Sequence, residues 1–243
     1  AVNACEIGVE WQRAIALFAA MGQALLKPDA IMFNAAISAC EKCAQWQRAL
    51  ALLVGMGNAV LEKNAISCSA AISACAKGAQ WQRALALLST MDDAVLESYA
   101  ISFRSAMTAC EKSAEWQQAV MLLDSMFQAI LEVDVMSYNA AISACEKGGQ
   151  WQRALALLAA MVQTTLELSA FSYNTTISAC EKRSEWKRAL VLLCAMDQAA
   201  VREDAVSYSA VISACEKGTV WEKALLLFAG MGHAALRPNT ISI

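Results

Sequence analysis

Residues 30–64 read AIMFNAAISACEKCAQWQRALALLVGMGNAVLEKN, and the chain repeats this pattern every 35 residues. The first half places Phe33, Ile37 and Cys40 at helical spacing. The second half, from Trp46 to Met56, carries apolar residues at the spacing of an amphipathic helix rich in Ala and Leu. A short break at residues 42–44 separates the halves. The stretch therefore predicts two antiparallel helices joined by a tight turn.

The same period holds through all 243 residues. Stacked copies of one supersecondary unit bury a continuous core, so a fixed period predicts an all-α solenoid of about seven helix–turn–helix repeats. We expect a single array over residues 1–243. It divides into a partial repeat 1–29, complete repeats 30–64, 65–99, 100–134, 135–169, 170–204 and 205–239, and the start of another at 240–243. Because both ends fall inside a repeat, the chain is expected to be part of a longer array.

Composition narrows the classes of function. Apolar residues make up 58% of the chain, but charged residues recur in every repeat, so no membrane insertion is expected. A net charge of −3 argues mildly against a nucleic-acid partner, because such domains are usually basic. A nucleic-acid partner would still be compatible with this net charge if the positive residues lay together on one face.

Ten cysteines are present, and seven of them recur at one position of the repeat. Stacked free cysteines behave as small buried apolar residues, which predicts core thiols in a reducing compartment. Cys40 and Cys43 form a lone C-x-x-C with no second pair, so no zinc site is expected.

Catalytic residues do not converge in this pattern. His233 is the single histidine, and the carboxylates recur singly beside Lys or Trp. Acid–base catalysis needs convergent titratable groups, and phosphate cradles need a glycine-rich loop after a strand. We therefore expect no enzyme activity, no cofactor, no metal and no small-molecule substrate.

The tryptophans admit two interpretations, a platform for stacked bases or a buried seam. Each Trp heads the apolar side of its second helix, which favours the seam. They stand at Trp11, Trp46, Trp81, Trp116, Trp151, Trp186 and Trp221.

A second face of the first helix also repeats. Ile31, Asn34, Ser38 and Lys42 follow i, i+3, i+7 and i+11, a stripe away from the apolar seam. It returns as Met136, Asn139, Ser143 and Lys147, and as Phe171, Asn174, Ser178 and Lys182. A merely solvated face would vary at random, so this stripe is the candidate binding surface.

At this stripe the chain resembles the pentatricopeptide repeat family. The 35-residue period, the SYN of Ser137–Asn139 and of Ser172–Asn174, the EKG of Glu146–Gly148, the RALALL of Arg153–Leu158 and the KPD of Lys27–Asp29 carry the resemblance. The tetratricopeptide repeat, with its 34-residue period, fits worse. The resemblance implies a right-handed superhelix that binds single-stranded RNA on its concave face, one nucleotide per repeat.

The resemblance also implies roles for particular residues. A residue after the helix-opening aromatic reads the base together with the last residue of the repeat: Asn34 with Asn64, Ser69 with Tyr99, Arg104 with Asp134, Asn139 with Ser169, Asn174 with Asp204, and Ser209 with Asn239. An apolar residue wedges against the base: Ile31, Ile66, Ile101, Met136, Phe171 and Val206. Lysines at the ends of the first helices contact phosphates: Lys42, Lys77, Lys112, Lys147, Lys182 and Lys217.

By the family's pairing rules these residues imply the RNA 5′-pyrimidine-N-N-C-U-A-3′, running parallel to the chain. The Ser69/Tyr99 and Arg104/Asp134 pairs match no common rule. The family also implies a mitochondrial or plastid location and a role in RNA stabilisation, processing or translation. A protein-binding scaffold inside a large assembly is the alternative. A positive groove along the stripe would favour RNA, and a neutral or apolar groove would favour a protein.

Overall fold

A computed structural model describes residues 12–13, 15–16, 18, 20, 28–59, 61, 64–91, 96–164 and 166–233. The predictions made for Trp11, for Asn239 and for the terminal partial repeats lie outside these residues. The described part of the chain contains helices and no strand, which confirms the all-α prediction.

The helices alternate between the first and second helix of each repeat. The first helices are α1 (Ala30–Lys42), α3 (Ala65–Lys77), α5 (Leu96–Lys112), α7 (Val135–Lys147), α9 (Ala170–Glu181) and α11 (Ala205–Lys217). The second helices are α2 (Trp46–Asn58), α4 (Trp81–Leu88), α6 (Trp116–Gln128), α8 (Trp151–Gln163), α10 (Trp186–Gln198) and α12 (Trp221–His233). Each repeated Trp within the described residues is the first residue of a second helix, as the apolar spacing predicted.

A side-chain oxygen starts most first helices. In five of them it accepts the backbone N–H of the third helical residue, at 2.8–3.4 Å. This is the N-cap interaction that satisfies an otherwise unpaired helical N–H. The capping residues are Asp29, Asn64, Asp134, Ser169 and Asp204.

Helix α5 begins differently from the others. The equivalent position holds Tyr99, whose side chain lacks a short oxygen for capping. The helix starts at Leu96, so Tyr99 lies inside it and not at its cap. The start of α5 therefore differs from the starts of the other described first helices.

The turn between the two helices uses a left-handed residue. Its φ lies between 53° and 66° at Ala44, Ala79, Ala114, Gly149, Ser184 and Thr219. The repeated glycines Gly78, Gly148 and Gly218 stand one position earlier, at φ between −87° and −80°. They are therefore not needed for backbone freedom. A Cβ atom at these glycines would collide with the indoles of Trp46, Trp116 and Trp186, respectively.

Each glycine thus lets a tryptophan of the preceding repeat lie against the backbone. Trp46 also packs on a core cluster that includes Ile37, Cys40 and Ala71. The seam interpretation of the tryptophans fits this half-buried packing. Trp221 differs, because 65% of its surface is exposed.

The chain forms two compact units. One comprises Ala1–Ser113 with Asp124–Glu132, and the other comprises Ala114–Leu123 with Val133–Ile243. Within the first, α3 packs against α1, α2, α4 and α5. Within the second, α9 packs against α7, α8, α10 and α11. In each unit, therefore, a first helix touches both the first and the second helix of the preceding repeat, as stacked repeats do.

The repeated thiols lie in this core, as predicted. Cys40, Cys75, Cys145 and Cys180 are fully buried, and burial raises the pKa of each thiol to about 11. They therefore stay protonated and apolar at neutral pH. Among the described residues no group of His, Cys, Asp and Glu could hold a metal ion, and no helix is long and apolar enough to cross a membrane.

The left-handed turn gives a test of the backbone. We predict that Ala79→Gly stabilises the protein by about 1 kcal/mol, because glycine adopts positive φ without the Cβ penalty. The reciprocal change Gly149→Ala, at φ 66°, should destabilise it by a similar amount. Urea unfolding of both variants measures the two effects. Equal stabilities for all three proteins would show that the turn carries no strain.

Candidate functional site

The predicted wedge residues form the most regular exposed apolar feature of the described chain. Ile31, Met136, Phe171 and Val206 are the second residues of their helices and are 56–66% exposed. Ile66 and Ile101 are 60% and 42% exposed. Apolar side chains at one fixed repeat position stay in solvent at a cost in hydrophobic free energy. Because exposed apolar residues recur at this position in every described repeat, we interpret them as a surface that contacts another molecule.

The predicted first readers lie three residues further along the same helical face. They are more buried than a solvent-facing stripe suggests. Asn139 is 8% exposed and Ser209 is 4% exposed. The side chain of Asn139 lies against Ser172 of the next first helix, and Ser209 is bonded within its own helix.

The structure brings Asn174 and Asp204 into direct contact. The Nδ2 of Asn174 donates to Oδ1 and Oδ2 of Asp204, at 3.1 and 3.3 Å. The Oδ1 of Asn174 accepts from the hydroxyl of Ser207 at 2.6 Å. One N–H and one oxygen lone pair of the amide remain for an outside partner.

Asn139 and Ser169 are connected through a third residue. The hydroxyl of Ser172 donates to Oδ1 of Asn139 at 2.7 Å, and the hydroxyls of Ser169 and Ser172 are 3.1 Å apart. Asn34 Oδ1 is the one buried side-chain N or O among the described residues without a hydrogen bond. The Nδ2 of Asn139, which has no hydrogen bond in the described chain, must therefore reach solvent.

The remaining predicted pairs are less regular. The hydroxyl of Ser69 donates to the carbonyl of Ala65 at 2.6 Å, and the ring of Tyr99 packs edge-on against Phe103 at 4.9 Å. Ser209 similarly donates to the carbonyl of Ala205 at 2.6 Å. Arg104 and Asp134 belong to different compact units.

Four of the predicted second readers have a structural role as well. Asn64, Asp134, Ser169 and Asp204 are all N-caps. Burial by itself would raise the pKa of Asp204. Hydrogen bonds from Ser207, from Asn174 and from the Val206 backbone outweigh burial and lower the pKa below its ordinary 3.8. Asp204 is therefore a carboxylate at neutral pH, next to the reader amide.

Several of the predicted phosphate lysines are ion-paired. Lys77 lies 3.0 Å from Glu41, Lys182 lies 2.6 Å from Glu146, and Lys217 lies 2.8 Å from Glu181. Each glutamate belongs to the repeat before its lysine. It also accepts a serine hydroxyl of the lysine's repeat, from Ser73, Ser178 or Ser213, at 2.8–3.1 Å.

We call these three Ser–Glu–Lys sets the inter-repeat ladder. Lys112 shows what happens where the glutamate is missing. Ala76 takes its place, and the Nζ of Lys112 lies 3.5 Å from the backbone carbonyl of Lys77. The ladder reduces the positive charge that its three lysines alone would give this edge of the face.

Sequence reasoning missed two sets of residues. One is the ladder glutamates Glu41, Glu146 and Glu181. The other is a repeated serine of the first helices, which is fully buried at Ser67, Ser102, Ser137, Ser172 and Ser207. Both sets repeat every 35 residues, so the signal was present. Their contacts join residues 32–36 positions apart, which helical spacing within one repeat does not reveal.

Comparison with known families gives two matches. A model described as a pentatricopeptide repeat-containing protein matches residues 58–161, and the PPR repeat model matches residues 171–199 and 206–233. No curated protein sequence matches the chain.

Solved structures share the fold. The pentatricopeptide repeat protein PPR10 from maize superposes with a TM-score of 0.61 at 18% identity, over 99% of this chain and 39% of that one. PPR10 in complex with an 18-nucleotide psaJ RNA element gives 0.57 at 17% identity, over 99% and 40%. The chain therefore spans about two fifths of PPR10.

The pentatricopeptide repeat domain of Arabidopsis thaliana protein-only RNase P 1, in complex with tRNA, gives a TM-score of 0.57 at 9% identity. It covers 70% of this chain and 90% of that domain. At these identities the matches confirm the helical-repeat solenoid fold and leave function to the residues of the site.

The carboxylate of Asp204 gives a pH test of the site. Because its folded pKa is lowered, its contribution is present above the unfolded pKa and disappears as the pH falls through the folded value. We predict that wild type is more stable than Asp204→Asn at pH 7. The difference should shrink as the pH falls below the ordinary pKa of 3.8 and through the lowered folded pKa, measured by urea unfolding.

Ser169→Asn is the control, because it changes the same cap position without a carboxylate. Its effect on stability should not depend on pH. A constant difference between wild type and Asp204→Asn from pH 7 to pH 3 would contradict a role for Asp204 ionisation in folding.

Proposed function

The chain belongs to the pentatricopeptide repeat family, and we propose that it binds single-stranded RNA with one nucleotide at each repeat. The observation that carries this proposal is the repeated triplet of an exposed apolar wedge, a reader amide and a capping side chain. Met136, Asn139 and Ser169 form one triplet, and Phe171, Asn174 and Asp204 form the next. The RNA-bound structures of PPR10 and of the RNase P domain support the same class of ligand.

The wedges supply sequence-independent contact. An exposed Ile, Met or Phe side chain next to the reader offers an apolar surface to the flat face of a base. Burying about half of such a side chain contributes on the order of 1 kcal/mol. Five or six wedges therefore contribute usefully to affinity without choosing among bases.

The reader pairs supply base preference. The outward N–H and lone pair of Asn174 match the donor and acceptor atoms of a pyrimidine edge. Uracil carries an N3–H donor where cytosine carries an N3 lone pair. The carboxylate of Asp204 favours the N3–H donor of uracil and repels the N3 lone pair of cytosine. The hydroxyl of Ser169 carries no charge and does not repel that lone pair. The proposal assigns uracil to repeat 170–204 and cytosine to repeat 135–169.

Applied along the array, the proposed ligand is 5′-pyrimidine-N-N-C-U-A-3′. The adenine rests on Ser209 with Asn239, and the first pyrimidine on Asn34 with Asn64. A non-catalytic role in the stabilisation, processing or translation of a mitochondrial or plastid transcript follows from the family. Selection from a random RNA pool tests the whole assignment, and enrichment of a motif ending in C-U-A supports the register.

The inter-repeat ladder favours a second candidate, a scaffold that binds a protein. Three lysines that would meet phosphates are neutralised by glutamates, so this edge of the face is less basic than the sequence suggested. A polar face with exposed apolar side chains also suits a protein partner. Failure to enrich any RNA, while the protein remains folded, would favour the scaffold.

We predict that Asp204→Ser changes the preferred base at the fifth position from uracil to cytosine. Serine still caps α11, so the fold is kept, and the repeat then carries the Asn/Ser pair of repeat 135–169. The change should alter the ratio of affinities for the two bases at least several-fold, measured by fluorescence anisotropy with RNAs that differ only there.

Asp134→Ser is the matched control, because it makes the same change at a cap whose first reader is Arg104. It should leave the fifth position unchanged. An unchanged uracil preference in Asp204→Ser would contradict the base assignment.

The ladder generates a prediction about affinity. Replacing Glu41, Glu146 and Glu181 with Gln frees three lysines and should tighten RNA binding several-fold. It should also steepen the dependence of log K on log salt, since six phosphate contacts give a slope of about −4 and ion-paired lysines give less.

A triple change of Glu132, Glu167 and Glu222 to Gln is the control. It alters the net charge equally but removes exposed carboxylates outside the ladder. Equal effects of the two triple variants would mean that only net charge matters, and no effect of either would remove the lysines from phosphate binding.

A further inference from the structure

A buried hydroxyl of one repeat touches the reader of the repeat before it. The Oγ of Ser207 lies 2.6 Å from Oδ1 of Asn174, and the Oγ of Ser172 lies 2.7 Å from Oδ1 of Asn139. The same pair of positions brings the Oγ atoms of Ser69 and Ser102 within 2.9 Å. Each pair is 33 residues apart. The hydroxyls are fully buried, so nucleic acid cannot reach them directly.

The hydrogen bonds around Asn174 determine which way its amide points. The carboxylate of Asp204 can only accept, so it holds the Nδ2 side of the amide. The Ser207 hydroxyl has one proton, and two oxygens compete for it: Oδ1 of Asn174 at 2.6 Å and Oδ1 of Asp204 at 2.9 Å. Rotating the amide by 180° would place its oxygen against the carboxylate. Ser207 and Asp204 together therefore fix one orientation.

Around Asn139 a serine chain bonds the amide oxygen. Oδ1 of Asn139 can only accept, so the proton of Ser172 is directed to it. The proton between Ser169 and Ser172 must then come from Ser169. The cap of repeat 135–169 is thus joined to its reader through a serine that belongs to the next repeat.

Asn34 provides the contrast within the same chain. The equivalent serine, Ser67, donates its proton to the backbone carbonyl of Asn64 at 2.8 Å. Oδ1 of Asn34 is left buried without a hydrogen bond. Nothing in the described residues orients that amide as Ser207 orients Asn174.

We propose that Ser207 and Ser172 are positioning residues that set the base preference of the preceding repeat. Each of these two bases is then read by three side chains: the reader, the cap and the buried serine of the following repeat. An amide held in one orientation presents its N–H and its oxygen lone pair at fixed places. It therefore distinguishes uracil from cytosine, whose donors and acceptors lie at different places. An amide free to rotate, such as that of Asn34, accepts both pyrimidines. This inference rests on the proposed RNA binding.

The test compares Ser207→Ala with the matched control Ser67→Ala. Both remove a fully buried hydroxyl at the third position of a first helix, but only the hydroxyl of Ser207 bonds the side-chain amide of a first reader. Affinities are measured by anisotropy for RNAs with U or C at the fifth position. We expect Ser207→Ala to reduce the U-over-C ratio about fivefold to tenfold, the effect of one lost hydrogen bond. Ser67→Ala should leave that ratio unchanged.

The ratio separates positioning from stability. A purely structural role would weaken binding to both RNAs equally and leave the ratio as in wild type, which would overturn the inference. If Ser207→Ala does not fold, Ser172→Ala tests the same point at the fourth position. A wild type that binds RNA with a base preference unaffected by either serine overturns this inference alone. A wild type that binds no RNA, or binds it without preference, overturns the proposed function as well.

Discussion

The contact between a tryptophan and the backbone of the next repeat is the constraint on which this structure depends. The indole of Trp116 lies against Gly148, and those of Trp46 and Trp186 lie against Gly78 and Gly218. A side chain at these glycines would push the second helix of one repeat away from the first helix of the next. The first helices carry the ladder lysines at their C-terminal ends and the capping residues at their N-terminal ends. The contact between indole and glycine therefore also sets the spacing of these residues from repeat to repeat.

Stacking explains why the predicted reader residues are shared between repeats. A reader such as Asn174 lies on a first helix whose neighbour is the first helix of the next repeat. Its amide therefore meets Asp204 and Ser207 before it meets solvent. The side chains that stabilise the stack are thus the same ones that could read a ligand. Substitutions at these positions change both the packing between repeats and the polar atoms that remain available to a ligand.

The sequence was sufficient for the helices and for the buried seam. Helical spacing identified both helices of each repeat, and the constant period identified the buried thiols. The exposed wedges Phe171 and Met136 were also found, because a large apolar residue off the seam is visible from spacing alone. The start of α5 at Leu96 was missed, since the effect of Tyr99 at a cap position depends on the residues before it.

Contacts between repeats could not be predicted in the same way. The bonds from Ser207 to Asn174 and from Lys182 to Glu146 depend on how far one repeat is displaced and rotated against the next. A difference of about 1 Å in that displacement would separate these atoms beyond hydrogen-bonding distance. The need for the glycines was hidden for the same reason, because the indole that lies against each of them comes from the repeat before.

The use of one carboxylate for two tasks links stability to recognition in this chain. Asp204 caps α11 through the N–H of Ser207 and holds the amide of Asn174. A serine or an asparagine there can cap the helix nearly as well, so the cap alone does not require a charge. The charge adds two things. It fixes the direction of the Asn174 amide, and it favours a hydrogen-bond donor on any group that lies against the carboxylate. Asn64 and Ser169 cap their helices without a charge. Under the proposed function, variation at this position changes what a repeat recognises while the helix that it caps stays intact.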